Sequence, residues 1–532
     1  MANVIGASSH FIQTTNEDVK ILRNFDRQMS QLSLSANANH ELIGIMQSLP
    51  PHEECWRLYQ AFKLRVHPVV PIIHLPTLES LILEFWNDFP FTMHGDTLAL
   101  LLAVTYCGLI SLGDDQYPDL SDSLYSSYEK LIQSYDFPTD FSKSTLPRLQ
   151  SYVLVGTCRA SQTEPIASFG FLPSTVRIAQ ALKLHIESKS ENPIDLEIRR
   201  RLWWHLIYLD VEASLPSGLP NLIHSDDYTT EMPSEIRDDA IGEVSVHHKE
   251  NIKSPMMIAM NSRYHWALQM RKWRKRPPKD DELQRFEKKI NDLQFSIPDT
   301  THNNGPRVYV SLQIDRAVCS SPRQILRGEK PIGNTSCDHQ LLKSARFFLA
   351  KFVVLSLTFA ESGLQWFIPG LIQPLQPMMI LLLHLTTCDA IDYEDALGTK
   401  QLLDRNFELV GNRTSQGRVV SSLAKTEKSR GRSEKANLIY CLLAKIRTRT
   451  YERAGWHLQH DEQNSGCPIR NLSEAIEMAN AHFKTGTVPV ERASGVRTPS
   501  EAGKMPPVRM DIADYEEWDG FFEEFLETGM IE

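Results

Sequence analysis

IRRRLWWHLIYLD, residues 198–210, sets three arginines directly before two tryptophans and closes on an aspartate in apolar company. Wound as an α-helix, it places Ile198, Leu202, Leu206 and Leu209 on one face and Trp203, Ile207 and Asp210 on the next. Two adjacent apolar faces predict a helix locked against neighbours. Asn192 is placed to cap it, Pro193 suits the first helical position, and Asp195 and Glu197 favour its positive end. The helix is expected to run to about Ala213, before the breaker Ser217-Gly218-Leu219-Pro220. Glu197 and Arg201 stand four apart, in the favourable order for a helical ion pair. Asp210 needs a cation or backbone donors, since an uncompensated carboxylate is costly to bury. Arg177, on the preceding helix, is its expected partner. A structural ion pair is the better reading of Asp210 than a general acid or base, because no second carboxylate or histidine completes a catalytic motif. Arg199–Arg201 read as a solvated face with one structural arginine rather than a phosphate grip, because Trp203 and Trp204 demand burial.

The rest of the chain reads as helix after helix. Trp56, Tyr59 and Phe62 form an apolar stripe in 53–67, which Pro68 and Pro71 stop. Helical patterns follow at 78–89, 96–112, 120–135, 147–160 and 171–187, then at 255–274, 280–294, 337–360, 438–450 and 472–483. Residues 221–247 read as an extended loop and 296–335 as loop-rich. Residues 411–437 are polar and rich in Ser and Arg, which predicts a mobile insertion; 484–510 predict a disordered linker. No convincing alternating strand is present. The fold class expected is all-α, a large multi-helix bundle with disordered loops and tail.

The eight cysteines stand apart, several inside apolar runs, which favours reduced thiols in an intracellular compartment over a disulfide framework. The N-terminus lacks the basic start and apolar core of a signal peptide. The apolar runs 98–112 and 378–388 fall short of the ~20 residues that cross a bilayer and read as buried helices. Of the net charge of -10, residues 511–532 supply nine acidic side chains with no Lys or Arg. A near-neutral body with an acidic end marks an interaction tail.

Four stretches together resemble the fungal-specific transcription factor domain, the middle homology region of fungal zinc-cluster regulators. They are HPVVPIIHLPTL (67–78), TVRIAQALKLHIE (175–187), DLEIRRRLWWHLIYLD (195–210), and SGLPNLIHSDDY (217–228) with Met232-Pro233. They fall in the family's order across a motif core of 55–240. The resemblance implies a regulatory helical body over 51–483, preceded by an extension at 1–50, with Arg177, Arg201, Trp203, Trp204 and Asp210 as structural motif residues. Two departures stand out. The family's usual glycine is Lys183 here, read as a small change on a helix. The family's six-cysteine zinc cluster has no counterpart, since only Cys55 lies in the first 100 residues and closely spaced thiolates are needed for such a site. No metal or other cofactor is therefore expected in this chain. DNA is expected to be reached only through a partner protein or a missing N-terminal module.

The tail DYEEWDGFFEEFLE (514–527) spaces Trp518, Phe521, Phe522, Phe525 and Leu526 at three- and four-residue steps between acids. This acidic-hydrophobic pattern is that of an activation segment folding into a coactivator groove. The alternative is a C-terminal helix docked on its own body. RKWRKRPPK (271–279) makes Arg271, Lys272, Arg274, Lys275 and Arg276 a nuclear import candidate, with a solvated helix end as the equal alternative. No phosphate-binding loop, nucleophile elbow or zinc-protease motif occurs. His247, His248 and Glu250 read as solvated loop groups, and His185 and His205 as core-edge groups. The sequence thus predicts a nuclear transcriptional regulator, not an enzyme. Its expected partners are the transcription machinery, a DNA-binding protein and a second copy of the chain, with no membrane. Control of a secondary-metabolite gene cluster is suggested by the family; a cytosolic scaffold or small-molecule-binding module is the rival reading.

Overall fold

In the computed structural model the described residues fall, with brief internal gaps, in 49–87, 95–112, 118–141, 144–162, 170–242, 253–320, 339–387, 393–415 and 443–456. Of the expected extension 1–50 only Ile45, Leu49 and Pro50 are described; the linker, the tail and most of the insertion lie outside the described residues, as do Lys275, His247, His248 and Glu250.

Helix α1 (His52–Ala61) passes into a π-turn (Phe62–Val66) and ends where Pro68 and Pro71 interrupt the backbone bonding. After α2 (Leu75–Asn87) comes α3 (Gly95–Leu112), apolar around its whole circumference and buried at every residue from Leu98 to Ser111. By length and composition alone α3 passes as long and apolar enough to cross a membrane, but most of it is buried inside the fold, as the sequence predicts. It is instead the axis of the N-terminal half, enclosed by α1, α4 (Pro118–Ser134) and α5 (Leu146–Gln162). Gly108 makes the α1–α3 crossing possible, because a Cβ there would lie 2.1 Å from the Leu58 carbonyl oxygen.

Helix α6 (Leu172–Ala181) leads to α7 (Pro193–Ser217), which contains the arginine–tryptophan stretch. Asn192 caps α7 as expected, its Oδ1 accepting from the Ile194 amide at 2.9 Å. The helix runs one turn past Ala213, and Asn221 Nδ2 donates to Ser214 Oγ at 2.7 Å to tie down that last turn. Helix α6 stops at Ala181, earlier than expected, and Lys183 adopts φ 59° in the turn that follows. Lys183 therefore does not sit on a helix. It occupies the left-handed position where a glycine avoids Cβ strain.

The C-terminal half gathers around α10 (Asn304–Ser320), which packs against α8 (Pro255–Trp273), α9 (Asp280–Phe295) and α11 (His339–Glu361). Helix α10 lies inside the stretch expected to be loop-rich. Gly305 and Pro306 occupy its first turn, where a proline forfeits no hydrogen bond. Helices α12 (Ile372–Thr387) and α13 (Tyr393–Ser415) pack on α11, and α13 carries helix into the expected mobile insertion. Among the described residues there is no strand, only an isolated bridge between Ile236 and Lys253. One apolar cluster runs from Ile45 to Leu443, so both halves share a core that includes α7.

Candidate functional site

Arg201 is the centre of the α7 motif and is fully buried. Its Nε donates to Glu197 Oε1 at 2.8 Å and its Nη1 to Asp238 Oδ1 at 2.5 Å. Nη2 donates to the Ile236 carbonyl at 3.3 Å. Each carboxylate then grips a further segment. Glu197 Oε2 accepts from the Ser234 amide at 3.1 Å. Asp238 Oδ2 accepts from the Leu75 amide at 3.0 Å and faces His67 Nε2 at 3.2 Å. His67 Nε2 also faces the Ile73 carbonyl at 2.9 Å, so that nitrogen carries the proton. His74 Nε2 donates to the Asp238 carbonyl at 3.0 Å. Arg201 thus fastens three stretches remote in sequence: the 67–75 crossing, α7 and the 230–238 loop.

A buried charge is tolerated only when paired and hydrogen-bonded, and this cluster meets that condition. Burial alone would push the Asp238 carboxyl upward. The hydrogen bond and charge of His67, the charge of Arg201 and the Leu75 amide outweigh it and hold Asp238 well below the usual carboxylate range. Burial works against the Arg201 cation too, but Asp238 and Glu197 more than offset it.

The neighbouring arginines are structural as well, contrary to the expected solvated face. Arg199 Nη2 donates to the Leu182 carbonyl at 2.7 Å, and Arg200 bridges Glu187 and Glu231. Trp203 is buried between the rings of His185 and Tyr228. Trp204 Nε1 donates to the Glu231 carbonyl at 2.8 Å. Every side chain from Arg199 to Trp204 therefore holds a neighbouring segment or fills the core.

Asp210 does not pair with Arg177. Its carboxylate accepts from the amides of Leu222 and Ile223 at 2.9 and 3.0 Å, capping the loop after α7. Burial raises its pKa, and these amides, the charge of Arg271 and the Asn221 amide oppose that shift. Arg177 is exposed on α6, where its Nη1 donates to Gln180 Oε1 at 3.0 Å. Arg177 thus stands on the exposed side of α6, and the loop itself satisfies the aspartate.

His205 lies in the core rather than at its edge. Arg263 Nη2 lies 3.1 Å from His205 Nδ1, and an arginine only donates, so Nδ1 accepts and the proton sits on Nε2. Nε2 then donates to Thr157 Oγ1 at 3.0 Å, which itself donates to the Val153 carbonyl at 2.7 Å. Burial and the Arg263 charge lower the His205 pKa well below its ordinary value. This relay joins α5, α7 and α8. Beside it, Arg316 Nη2 meets both oxygens of Glu212 and its guanidinium stacks 3.6 Å over Trp266, joining α10 to α7 and α8.

The import candidate is partly committed to the fold. Arg271 donates to the Ile223 carbonyl, Arg274 is attracted to Asp210, and Arg276 makes a two-pronged pair with Glu282 at 2.8 and 2.7 Å. Lys272 is exposed. Trp518, Phe521, Phe522, Phe525 and Leu526 lie outside the described residues. Among the described residues, no group of three or more His, Cys, Asp or Glu is placed to hold a metal ion. Asp238 and the His205–Arg263 relay were not anticipated. The one signal for Asp238 is chemical: a fully buried arginine needs more than its single helical carboxylate.

Residues 59–303 match the family model of the fungal specific transcription factor domain. That span encloses the whole clasp, from His67 through Arg201 to Asp238, and ends just before α10. The match covers a little under half of the chain.

The chain is similar to transcription factor yanR of Aspergillus niger, 32% identical over 256 residues, which cover 42% of this chain and 30% of that protein. It is similar to the C6 finger domain transcription factor nscR of Aspergillus fumigatus, 27% identical over 267 residues, 46% of this chain and 34% of the relative. An aurofusarin cluster transcription factor of Gibberella zeae is 29% identical over 176 residues, 32% of this chain and 26% of the relative. The chain spans about a third or less of the length of these relatives.

Proposed function

We propose that this chain is a transcriptional regulator, with a clasped helical body as its regulatory scaffold and residues 511–532 as its activation segment. The observation that carries the reading is the domain match over 59–303, with the clasp at its centre. The buried carboxylates and arginines in it are spent on one another and on backbone groups, which suits a scaffold and leaves no open acid–base pair there. On this reading the chain is not an enzyme and uses no metal or other cofactor of its own. Sequence-specific contact with DNA is made through a DNA-binding partner or an N-terminal zinc cluster outside this sequence. The acidic-aromatic pattern around Trp518 and Phe522 suits an amphipathic helix that folds into a coactivator groove. The chain works in the nucleus, and a second copy of it is a further partner. A relative named for the aurofusarin cluster supports control of a secondary-metabolite gene cluster.

Residues 484–532 fused to a foreign DNA-binding domain are expected to switch on a reporter, and changing Trp518 and Phe522 to alanine is expected to silence it. A reporter that stays off with the unaltered segment rejects the activation reading.

A further inference from the structure

The turn after α6 meets the N-terminal half of α7 at a junction where buried polar atoms are left over. Arg199 and Trp203 stand four apart on α7, so they share a face of that helix. The turn reaches both of them. Arg199 Nη2 donates to the Leu182 carbonyl at 2.7 Å, and the ring centroids of His185 and Trp203 lie 6.0 Å apart. Lys183, at φ 59°, makes the reversal between Leu182 and His185, and a backbone outlier of this kind is a starting point for a functional hypothesis. The turn is also pinned to the 228–231 segment. The Thr229 amide donates to the His185 carbonyl at 2.9 Å, and Thr230 Oγ1 donates to the Leu184 carbonyl at 2.6 Å.

Three atoms at this junction are shut from water with no hydrogen-bond partner: Arg199 Nε, Trp203 Nε1 and His185 Nδ1. The first two can only donate, and the third can donate or accept. Buried polar groups are nearly always satisfied, so three orphans at one junction point to an occupant. Water would complete the hydrogen bonds but leave the charge. Among the described residues Arg199 forms no ion pair, because the neighbouring Arg200 and Arg201 have taken Glu187, Glu231, Glu197 and Asp238. Trp203 is sealed, whereas Arg199 and His185 are half-buried and Lys183 is exposed, so the junction is reached from the surface.

We propose that this junction, Arg199, Trp203 and His185, is a binding site for a small monocarboxylate. A carboxylate only accepts, and its two oxygens match a set of atoms dominated by donors. Its single negative charge answers the one guanidinium that lacks a counter-ion. Contact with Arg199 Nε would turn an orphaned donor into a charge-assisted hydrogen bond, the stronger kind. A bound carboxylate would fasten the 182–185 turn to the helix that carries the Arg201 clasp. The site gives the helical body a ligand, and it stands whether or not the chain activates transcription.

Calorimetric titration of the full chain with sodium acetate and with sodium benzoate, at constant ionic strength, tests it. A single saturable site is expected for at least one of the two, with a matching rise in melting temperature. Benzamide has the shape of benzoate without its charge and is expected not to bind. Affinity is expected to fall about tenfold or more in Arg199→Gln, which removes the cation, and in His185→Ala. His185→Ala leaves the bond from Arg199 to Leu182 in place, so it serves where Arg199→Gln unfolds, and an unchanged tryptophan emission spectrum confirms folding. No saturable binding of either carboxylate assigns the junction to water only and overturns the proposal. Equal binding of benzamide, unchanged affinity in a folded variant, or displacement of the carboxylate by an equal concentration of inorganic phosphate also overturns it.

Discussion

Changing Asp238 to asparagine keeps the shape of the clasp and removes its central charge. The carboxylate accepts from Arg201, His67 and the Leu75 amide, and Arg201 is fully sealed from water. Removing one partner of a buried, hydrogen-bonded pair costs about 3–5 kcal/mol, because the other charge stays behind. Glu197 still holds Arg201 at 2.8 Å, which places the expected loss near the lower end, about 3 kcal/mol. Urea unfolding followed by tryptophan emission reads it, with Trp203 and Trp204 beside the clasp as reporters. Pairing D238N with Arg201→Met in a double-mutant cycle is expected to return a coupling of about 2 kcal/mol. The pH dependence gives an independent check. The folded Asp238 binds its proton far more weakly than the unfolded residue, whose pKa is about 3.9. Its contribution is therefore complete above about pH 4 and is lost as the pH falls toward its folded value. D238N is expected to lack that acid-side decline. A loss below about 1 kcal/mol, with additive single mutants, refutes the clasp as the joint between the three segments.

Other expectations follow from single positions. Lys183→Gly relieves the left-handed backbone and is expected to raise stability by about 1 kcal/mol in the same assay, whereas Lys183→Val lowers it. Gly108→Ala forces a Cβ against the Leu58 carbonyl oxygen and is expected to cost about 2–3 kcal/mol, read as a drop in the urea midpoint. His205→Ala takes away the acceptor of a buried arginine and is expected to cost about 2–3 kcal/mol. His205 and His265 both bind protons more weakly when folded, His265 being pushed down to about 4 by burial and the Lys289 charge. The unfolded chain takes up those protons first, so stability is expected to fall as the pH drops below about 6.5, by up to about 3 kcal/mol per pH unit. A flat profile between pH 7.5 and 5 contradicts the buried neutral assignment.

Much of the fold was legible because its strongest signals are periodic or local. The arginine–tryptophan helix, its Asn192 cap and the Glu197–Arg201 pair depend on residues within a few turns of one another. The errors fall where partners come from afar or a backbone angle decides. Arg177, on the preceding helix, was the expected partner of Asp210, yet the loop amides of Leu222 and Ile223 satisfy the carboxylate. Asp238 sits in a run without periodicity and is drawn to Arg201 only by tertiary folding. Gly305 and Pro306 suggest a loop, but in a first helical turn they cost little, and α10 forms on the strength of its buried faces. Lys183 hides its meaning because a lysine gives no sign of the left-handed turn that a glycine would announce. The tail lies outside the described residues, so its reading rests on composition and spacing.

The central claim is that this chain regulates transcription. The direct test fuses the full chain to a foreign DNA-binding domain upstream of a reporter in fungal cells and measures the transcript. A rise that depends on residues 511–532, with the fusion in the nucleus, is the predicted result. An unchanged transcript from a folded, nuclear fusion would contradict it.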